Sequence, residues 1–442
     1  AALTSLSTTS TTGEITVGNV AASALSSIAL TSSGTAGVDV GTIGTTGSLN
    51  SISMTSGTTL ASDMDLGAIT ATGSQISTYT VNLAGTYGAS SIGTLAAEGL
   101  GAVTINALGG AGTSFTTGDV SITGVALAGA GNIGNIAITS ADAVAIGGFA
   151  TANVANTTGS IGNYDVSLSG AFGASTLGNI SVGDTTSADM GNITLTTTGS
   201  GGTSLTLGTV DTANGNIGNV TVTSADQVVV GAITAAGAGK TVGNVSMTVT
   251  GTNAGGSTLA AVTAPASIGN ITLSNASDQD LTAADFVTAN VGNVSLTSSG
   301  AGDVIVTDFG RVTGTMGTLT VVASAANGNI ATNAGGIDAA TTIGNISVTQ
   351  SAANTVNLGT LGATGGSIGN VTIAGTGTSF TMATGAVLNI GDVSASGYTG
   401  ATNVTLSNTT VIGVNFTGGT GIDTFTGTGG ADVINGNAGD DV

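Results

Sequence analysis

Cysteine, histidine and tryptophan do not occur in this 442-residue chain, proline occurs once, and the only basic residues are Lys240 and Arg311. Without Cys or His there is no disulfide framework. The usual ligand sets of zinc, copper, haem and iron–sulfur centres are missing too, as are the Ser-His-Asp and Cys-His nucleophile systems. Two cations stand against 23 acidic residues, for a formal net charge of -21. Two cations cannot neutralise a phosphate backbone, so nucleic-acid binding is effectively excluded, and an anionic membrane surface repels the chain. Gly, Ser, Thr or Asn interrupts every apolar run well before the roughly 18 residues of a membrane helix, so no membrane insertion is expected. The first residues are AALTSLSTTS and the last are GNAGDDV, inside a repeat, which reads as a processed or excerpted part of a longer protein.

Carboxylates without basic partners are either solvated or neutralised by metal cations, and hard oxygen ligands favour calcium or magnesium. Hydrophobic residues make up 40% of the chain, mostly Ala, Val, Ile and Leu, with aromatics at 3%. Such side chains fill a narrow core made of thin layers.

One stretch, GNIGNVTVTSAD at 215–226, recurs with small changes: GNIGNIAITSAD from Gly131, SIGNITLSNASD from Ser267, TIGNISVTQSAAN from Thr342 and SIGNVTIAGTG from Ser367. The rung glycines Gly134, Gly162, Gly191, Gly218, Gly243, Gly269, Gly292, Gly317, Gly344 and Gly369 give a period of about 26 residues. Weaker rungs at Val17, Thr42, Leu66, Ser91 and Thr117 keep step upstream. A fainter partner lies between strong rungs, at Leu177, Leu207, Val230, Phe309 and Leu358, so each period carries at least two short strands.

Asn219, Val220, Thr221, Val222 and Thr223 alternate strictly, the mark of a strand with one buried face; Val, Ile and Leu are expected to point in, and Asn, Ser and Thr out. A helix is excluded by the abundance of Gly and Thr and by the lack of i, i+3, i+4 spacing. Short strands at a fixed period predict an all-β fold, a right-handed parallel β-helix (β-solenoid) of about 26-residue coils. About 16 coils at ~4.8 Å each would span roughly 75 Å. At each rung the Gly is expected to let the backbone turn at a corner, and the following Asn to stack on its equivalents through shared side-chain amide hydrogen bonds.

From Gly418 the period shortens to nine: GGTGIDTFT at 418–426, GTGGADVIN at 427–435 and GNAGDDV at 436–442. The pattern resembles the calcium-binding RTX repeat G-G-x-G-x-D-x-U-x. Gly421, Gly430 and Gly439 take the fourth position, Asp423, Asp432 and Asp441 the sixth, and Phe425 and Ile434 the eighth. Thr428 and Asn437 depart from it where a second Gly is expected.

That resemblance implies a division into a β-solenoid at 1–417 and a truncated RTX β-roll at 418–442, with two nonapeptides per coil. It implies Ca2+ held in the turns by Gly418, Thr420, Gly421, Asp423, Gly427, Gly429, Gly430, Asp432, Gly436 and Asp441. Asp423 and Asp441 would share one ion, and Asp432 would need a fourth repeat. Further calcium between coils would draw on Asp142, Asp226 and Asp278, residues that otherwise cap turns. The pairs Asp63 with Asp65 and Asp278 with Asp280 are the local acidic clusters.

RTX-type proteins are exported by type I secretion to the bacterial cell surface or medium. Thr-, Ala- and Gly-rich chains with few Lys resemble surface-layer and surface-fibre adhesin proteins. The leading expectation is therefore an extracellular structural protein, not an enzyme, that self-assembles into a surface layer or filament. Its partners would be copies of itself, packed laterally or end to end, and cell-surface polysaccharide. Two alternatives remain: an ice- or surface-binding module using Thr-x-Thr rows such as Thr194 with Thr196 and Thr221 with Thr223, and a polysaccharide-modifying β-helix enzyme. The enzyme would need cations near its carboxylates.

Overall fold

A computed structural model describes residues 3–59, 62–109, 113–123, 131–151, 159–170, 172–183, 188–199, 203–251, 255–309, 311–325, 328–332, 337–338, 341–351, 353–362, 366–385, 387, 389–406 and 412–442. The described residues are all-β, with no helix among them. They form two compact units, Ala1–Gly237 and Ala238–Val442. Each unit is a parallel β-solenoid whose equivalent strands pair in register from coil to coil.

The repeated stretch that opens at Gly215 shows how one coil is made. Ile217 forms a single parallel bridge to Met190, and Gly218 and Asn219 turn a corner. Strand Val220–Ser224 then pairs with Ile193–Gly199 of the preceding coil. A tight turn at Asp226 leads into Gln227–Val230, which pairs with Ser204–Leu207. A second corner at Gly231 leads into Ile233–Ala235, which pairs with Val210–Thr212.

Alternation puts Val220, Val222, Val228, Val230 and Ile233 inside, essentially without exposure. Each column repeats coil after coil: Ile136, Tyr164, Ile193 and Val220 stack in line. Burial of each such Val, Leu or Ile contributes about 1.5–3 kcal/mol, and the β-branched residues suit the pleated surface. Every aromatic but the half-buried Phe425 is inside; Phe149 meets Tyr164 edge-on with centroids 6.1 Å apart, and Phe286 stacks on Phe309 at 5.1 Å.

Three sequence expectations are corrected. The upstream marks at Val17, Thr42, Leu66, Ser91 and Thr117 do not continue the strong rung. They belong to the second corner, since Val38–Val40 and Met64–Leu66 of the sheet that precedes it pair with each other, as do Ile43–Thr45 and the start of Ile69–Gly85 that follow it. Both corners need a small residue, so both carry Gly.

Not every Ser and Asn points out. Ser140, Ser224 and Ser298 close the rung strand, Asn275 holds the equivalent position, and all four are buried. Ser140 Oγ accepts the Asp142 N–H at 3.0 Å, and Ser224 Oγ accepts that of Asp226 at 3.1 Å, so the hydroxyl closes the turn from within.

The asparagines do stack, but not amide to amide. Asn135 Oδ1 accepts the backbone N–H of Asn163 at 3.0 Å, Asn163 that of Asn192 at 2.9 Å, and Asn192 that of Asn219 at 2.9 Å. In the unit Ala238–Val442 an equivalent ladder runs through Asn244, Asn270 and Asn293. The corner glycine leaves room for this oxygen: a Cβ on Gly162 would lie 2.6 Å from Asn135 Oδ1. Because only an acceptor is required, aspartate substitutes, as Asp119 does for Gly148 N–H at 2.7 Å and Asp392 for Asn415 N–H at 3.3 Å.

Candidate metal centre

Coil length shortens at the C-terminal end. Leu319 pairs with Ile346, 27 residues on, Ile346 with Val371, 25 residues on, and Thr402 with Asp423, 21 residues on. Asn415 pairs with Val433 at an offset of 18, the length of two nonapeptides. Each short coil has room for little more than two three- or four-residue strands, Asn415–Thr417 and Asp423–Thr426, and their turns.

The sixth-position carboxylates organise those turns. Asp423 Oδ2 accepts the Gly419 N–H at 2.7 Å, and Asp432 Oδ2 accepts that of Thr428 at 2.7 Å, the same four-residue reach in successive repeats. A Cβ on Gly418, Gly427 or Gly436 would collide with the carboxylate of Asp423, Asp432 or Asp441 respectively. The first glycine of each repeat is thus required by its own aspartate. Between coils, Asp441 Oδ1 accepts the Asp423 N–H at 3.0 Å, and Asp432 Oδ1 accepts that of Val414 at 2.9 Å. Asp423 and Asp441 are therefore stacked, as the repeat spacing implies.

The two departures from the repeat have distinct effects. Asn437 takes a left-handed φ of 67°, which glycine adopts freely and Asn tolerates, and its Nδ2 donates to the Gly418 carbonyl at 2.5 Å. Thr428 Oγ1 donates to Asp432 Oδ1 at 2.8 Å. Partial burial works against the charged form of Asp432, but the bonds from Val414 N–H, Thr428 Oγ1 and Thr428 N–H outweigh it and hold the carboxyl below its ordinary range. Asp432 is thereby satisfied by the protein itself.

Asp423 is not. It is 1% exposed, and its Oδ1 has no partner among the described residues. Tyr398 Oη and Thr402 Oγ1 are also buried and without one. Burial, and then the charge of Asp423 nearby, pushes the Tyr398 phenol up to about 12. Among the remaining predicted residues, Thr420 N–H donates to the Tyr398 carbonyl at 3.0 Å, Gly421 packs against the Gly400 carbonyl, and Gly430 N–H donates to Thr428 Oγ1 at 3.0 Å. Gly429 lies in the exposed turn between them. A hollow of about 380 Å³ opens onto Asp423, Asp441, Asn437 and the stacked rings of Phe416 and Phe425, whose centroids are 4.5 Å apart.

These donors are oxygens of carboxylates, hydroxyls and glycine-rich backbone, which fit a hard cation such as calcium. Among the described residues no three carboxylates converge, so an ion would be held by Asp423 and Asp441 with carbonyl help. Tyr398 and Thr402 lie outside the nonapeptides, and the repeat pattern gives no sign of them. The available signal is alternation in ATNVT, which puts Thr402 on the inward face with Val404.

The other acidic residues do not join this site. Asp142 Oδ2 accepts Tyr87 Oη at 2.5 Å and Gly109 N–H at 2.6 Å, and Asp226 accepts Gly199 N–H at 2.8 Å and the Thr203 hydroxyl. Both are buried and satisfied as turn caps. Asp65 accepts Ser91 Oγ at 2.6 Å, Asp63 lies against Gly88, Asp280 accepts Asp303 N–H at 3.0 Å, and Asp278 is exposed. Thr194 and Thr196 align in register with Thr221 and Thr223, but Asp165 and Ser167 precede them in the same columns. Compared with protein-family models, curated proteins and solved structures, the chain matches none, so the reading of the site rests on its own geometry.

Proposed function

We propose that this chain is an extracellular structural protein that packs side by side into a surface layer or filament, with calcium ordering its last coils. One observation carries the reading. In the unit Ala238–Val442 a single outward column runs Ser246, Thr272, Ser295, Thr320, Ser347, Thr372, Ser394 and Thr417, one hydroxyl per coil without interruption. Strand spacing puts these hydroxyls about 4.8 Å apart. Such a row is uncharged, short in reach and periodic, so a second copy can approach closely and repeat each hydrogen bond at every coil.

Calcium would be held by Asp423 and Asp441, where it supplies the positive charge that the chain lacks. Secretion to a calcium-rich exterior and the surface-layer assignment follow from the resemblance of the nonapeptides to RTX repeats. Electron microscopy and light scattering of the purified chain at millimolar calcium, with and without chelator, test the reading. Ordered assemblies that Ser347→Glu with Thr372→Glu abolishes, while circular dichroism is unchanged, would support it. A chain that stays monomeric in calcium would overturn it.

A further inference from the structure

Three buried, unpartnered side-chain oxygens occur where the long coils give way to the short ones. In the sheet that ends with Asp423–Thr426, one inward column runs Val304, Ile330, Val356 and Phe380, then turns polar at Thr402 and Asp423. A neighbouring column runs Ala323, Gln350, Gly375 and Tyr398. Tyr398, Thr402 and Asp423 are each about 1% exposed, and Tyr398 Oη, Thr402 Oγ1 and Asp423 Oδ1 have no partner among the described residues.

The backbone around them is stripped of side chains. A Cβ on Gly400 would lie 2.6 Å from Tyr398 Oη and collide with the Gly377 carbonyl, and one on Gly421 would collide with the Gly400 carbonyl. Carbonyl and phenol oxygens thus lie against Gly400 and Gly421, while among the described residues the hydrogen bond to the Asp423 side chain goes to Oδ2 from Gly419. A buried carboxylate with one oxygen unmatched is costly unless an opposite charge is brought to it. A water would give Oδ1 a hydrogen bond and leave the charge buried; a divalent cation both coordinates Oδ1 and compensates its charge.

We infer that Tyr398 and Thr402 of the preceding coil complete, with Asp423 Oδ1, an interior calcium site that joins the long-coil solenoid to the nonapeptide coils. It is separate from the turn between Asp423 and Asp441. The inference rests on the calcium reading above and assigns ligands that the nonapeptide pattern does not contain. Binding would lock the junction, because Asp423 belongs to the first nonapeptide whereas Thr402 and Tyr398 belong to the coil before it.

The test uses the full chain with calcium by calorimetry and terbium by tyrosine-sensitised luminescence, since Trp is absent and Tyr398 is the one tyrosine after Tyr164. Thr402→Val keeps size and antenna while removing one ligand oxygen, and Tyr398→Phe removes the other. The expected result is that Thr402→Val weakens terbium emission titrations at least about tenfold, on the scale of lost metal-site partners. Tyr398→Phe should lose one calcium per chain by calorimetry, whereas Asp441→Asn keeps the sensitised emission. If Thr402→Val and Tyr398→Phe bind calcium with wild-type stoichiometry and affinity while Asp441→Asn does not, the interior site is refuted and the turn site stands. A wild-type chain that binds no calcium refutes both.

Discussion

Asn192 Oδ1 accepts the backbone N–H of Asn219, one coil later, at 2.9 Å, and Gly218 between the two coils is the residue that makes room for it. A Cβ on Gly218 would lie 2.7 Å from that oxygen and 2.8 Å from the Gly191 carbonyl group. Gly218→Ala should therefore destabilise by about 1–3 kcal/mol through overpacking. Asn192→Ala should cost about 1 kcal/mol, one net hydrogen bond. Asn192→Asp should be nearly silent, because the ladder needs only an acceptor. Gly44→Ala, where a Cβ would meet nothing within 4 Å, is the control. Thermal melts of the four variants decide it.

Much of this was legible in the sequence, for a physical reason. A solenoid repeats one environment, so the alternation of Val220, Thr221 and Val222 is read many times over and reports the strand, its buried face and the coil length together. What the sequence hid is contact between coils. Gly-Asn at 218–219 and Gly-Asn at 18–19 look alike, yet they turn different corners, and only the pairing partners separate them. The donor of the Asn ladder is a backbone N–H that no side-chain pattern can display. Likewise, the nonapeptide spacing set Asp432 apart from Asp423 and Asp441 only by the want of a fourth repeat. Thr428 satisfies Asp432, whereas nothing described satisfies Asp423 Oδ1, and that difference arises from packing.

Tyr87 Oη donates to Asp142 across 55 residues at 2.5 Å, in a turn where Asp142 is 3% exposed. Tyr87→Phe removes one of two strong donors to Oδ2 and leaves the carboxylate short inside the coil. Hydrogen bonds to charged groups are worth about 1.5–3 kcal/mol, so the variant should lose stability on that scale. Denaturant melts of Tyr87→Phe alone, of Asp142→Asn alone and of the pair would show strong coupling. Additive losses would mean the contact carries no energy of its own.

All four tyrosines are protonated more tightly when folded than when unfolded. Burial raises Tyr79 and Tyr164, burial and then the hydrogen bond to Asp142 raise Tyr87, and burial and then Asp423 push Tyr398 up to about 12. An unfolded phenol ionises near pH 10, so from there upward the unfolded chain releases protons that the folded chain retains. The stability these groups contribute is complete below about pH 10 and is lost as pH rises through the folded values. Phenolate absorbance should thus appear together with loss of the β-sheet circular dichroism signal. A smooth titration centred near pH 10 with the signal intact would contradict the burial of these rings.

Asp432 tests the opposite sign. Its carboxyl is held below the ordinary range because three hydrogen bonds outweigh its partial desolvation, so it stabilises the last coils above the unfolded value and ceases to as pH falls through the folded one. Thr428→Val removes the Oγ1 donor at 2.8 Å while keeping the shape and the backbone N–H. In calcium-free buffer the Asp432 carboxyl, followed by carbon-detected NMR, should then titrate at higher pH than in the wild type, and acid loss of the last coils should begin earlier. Thr428→Gly, which restores the residue the repeat pattern expects, should move it the same way and leave Asp432 Oδ1 with the Val414 N–H as its one described donor. If that variant gains no calcium by calorimetry, occupancy by Thr428 is not what separates Asp432 from Asp423, and the lack of a stacked acidic partner at Val414 is the remaining cause.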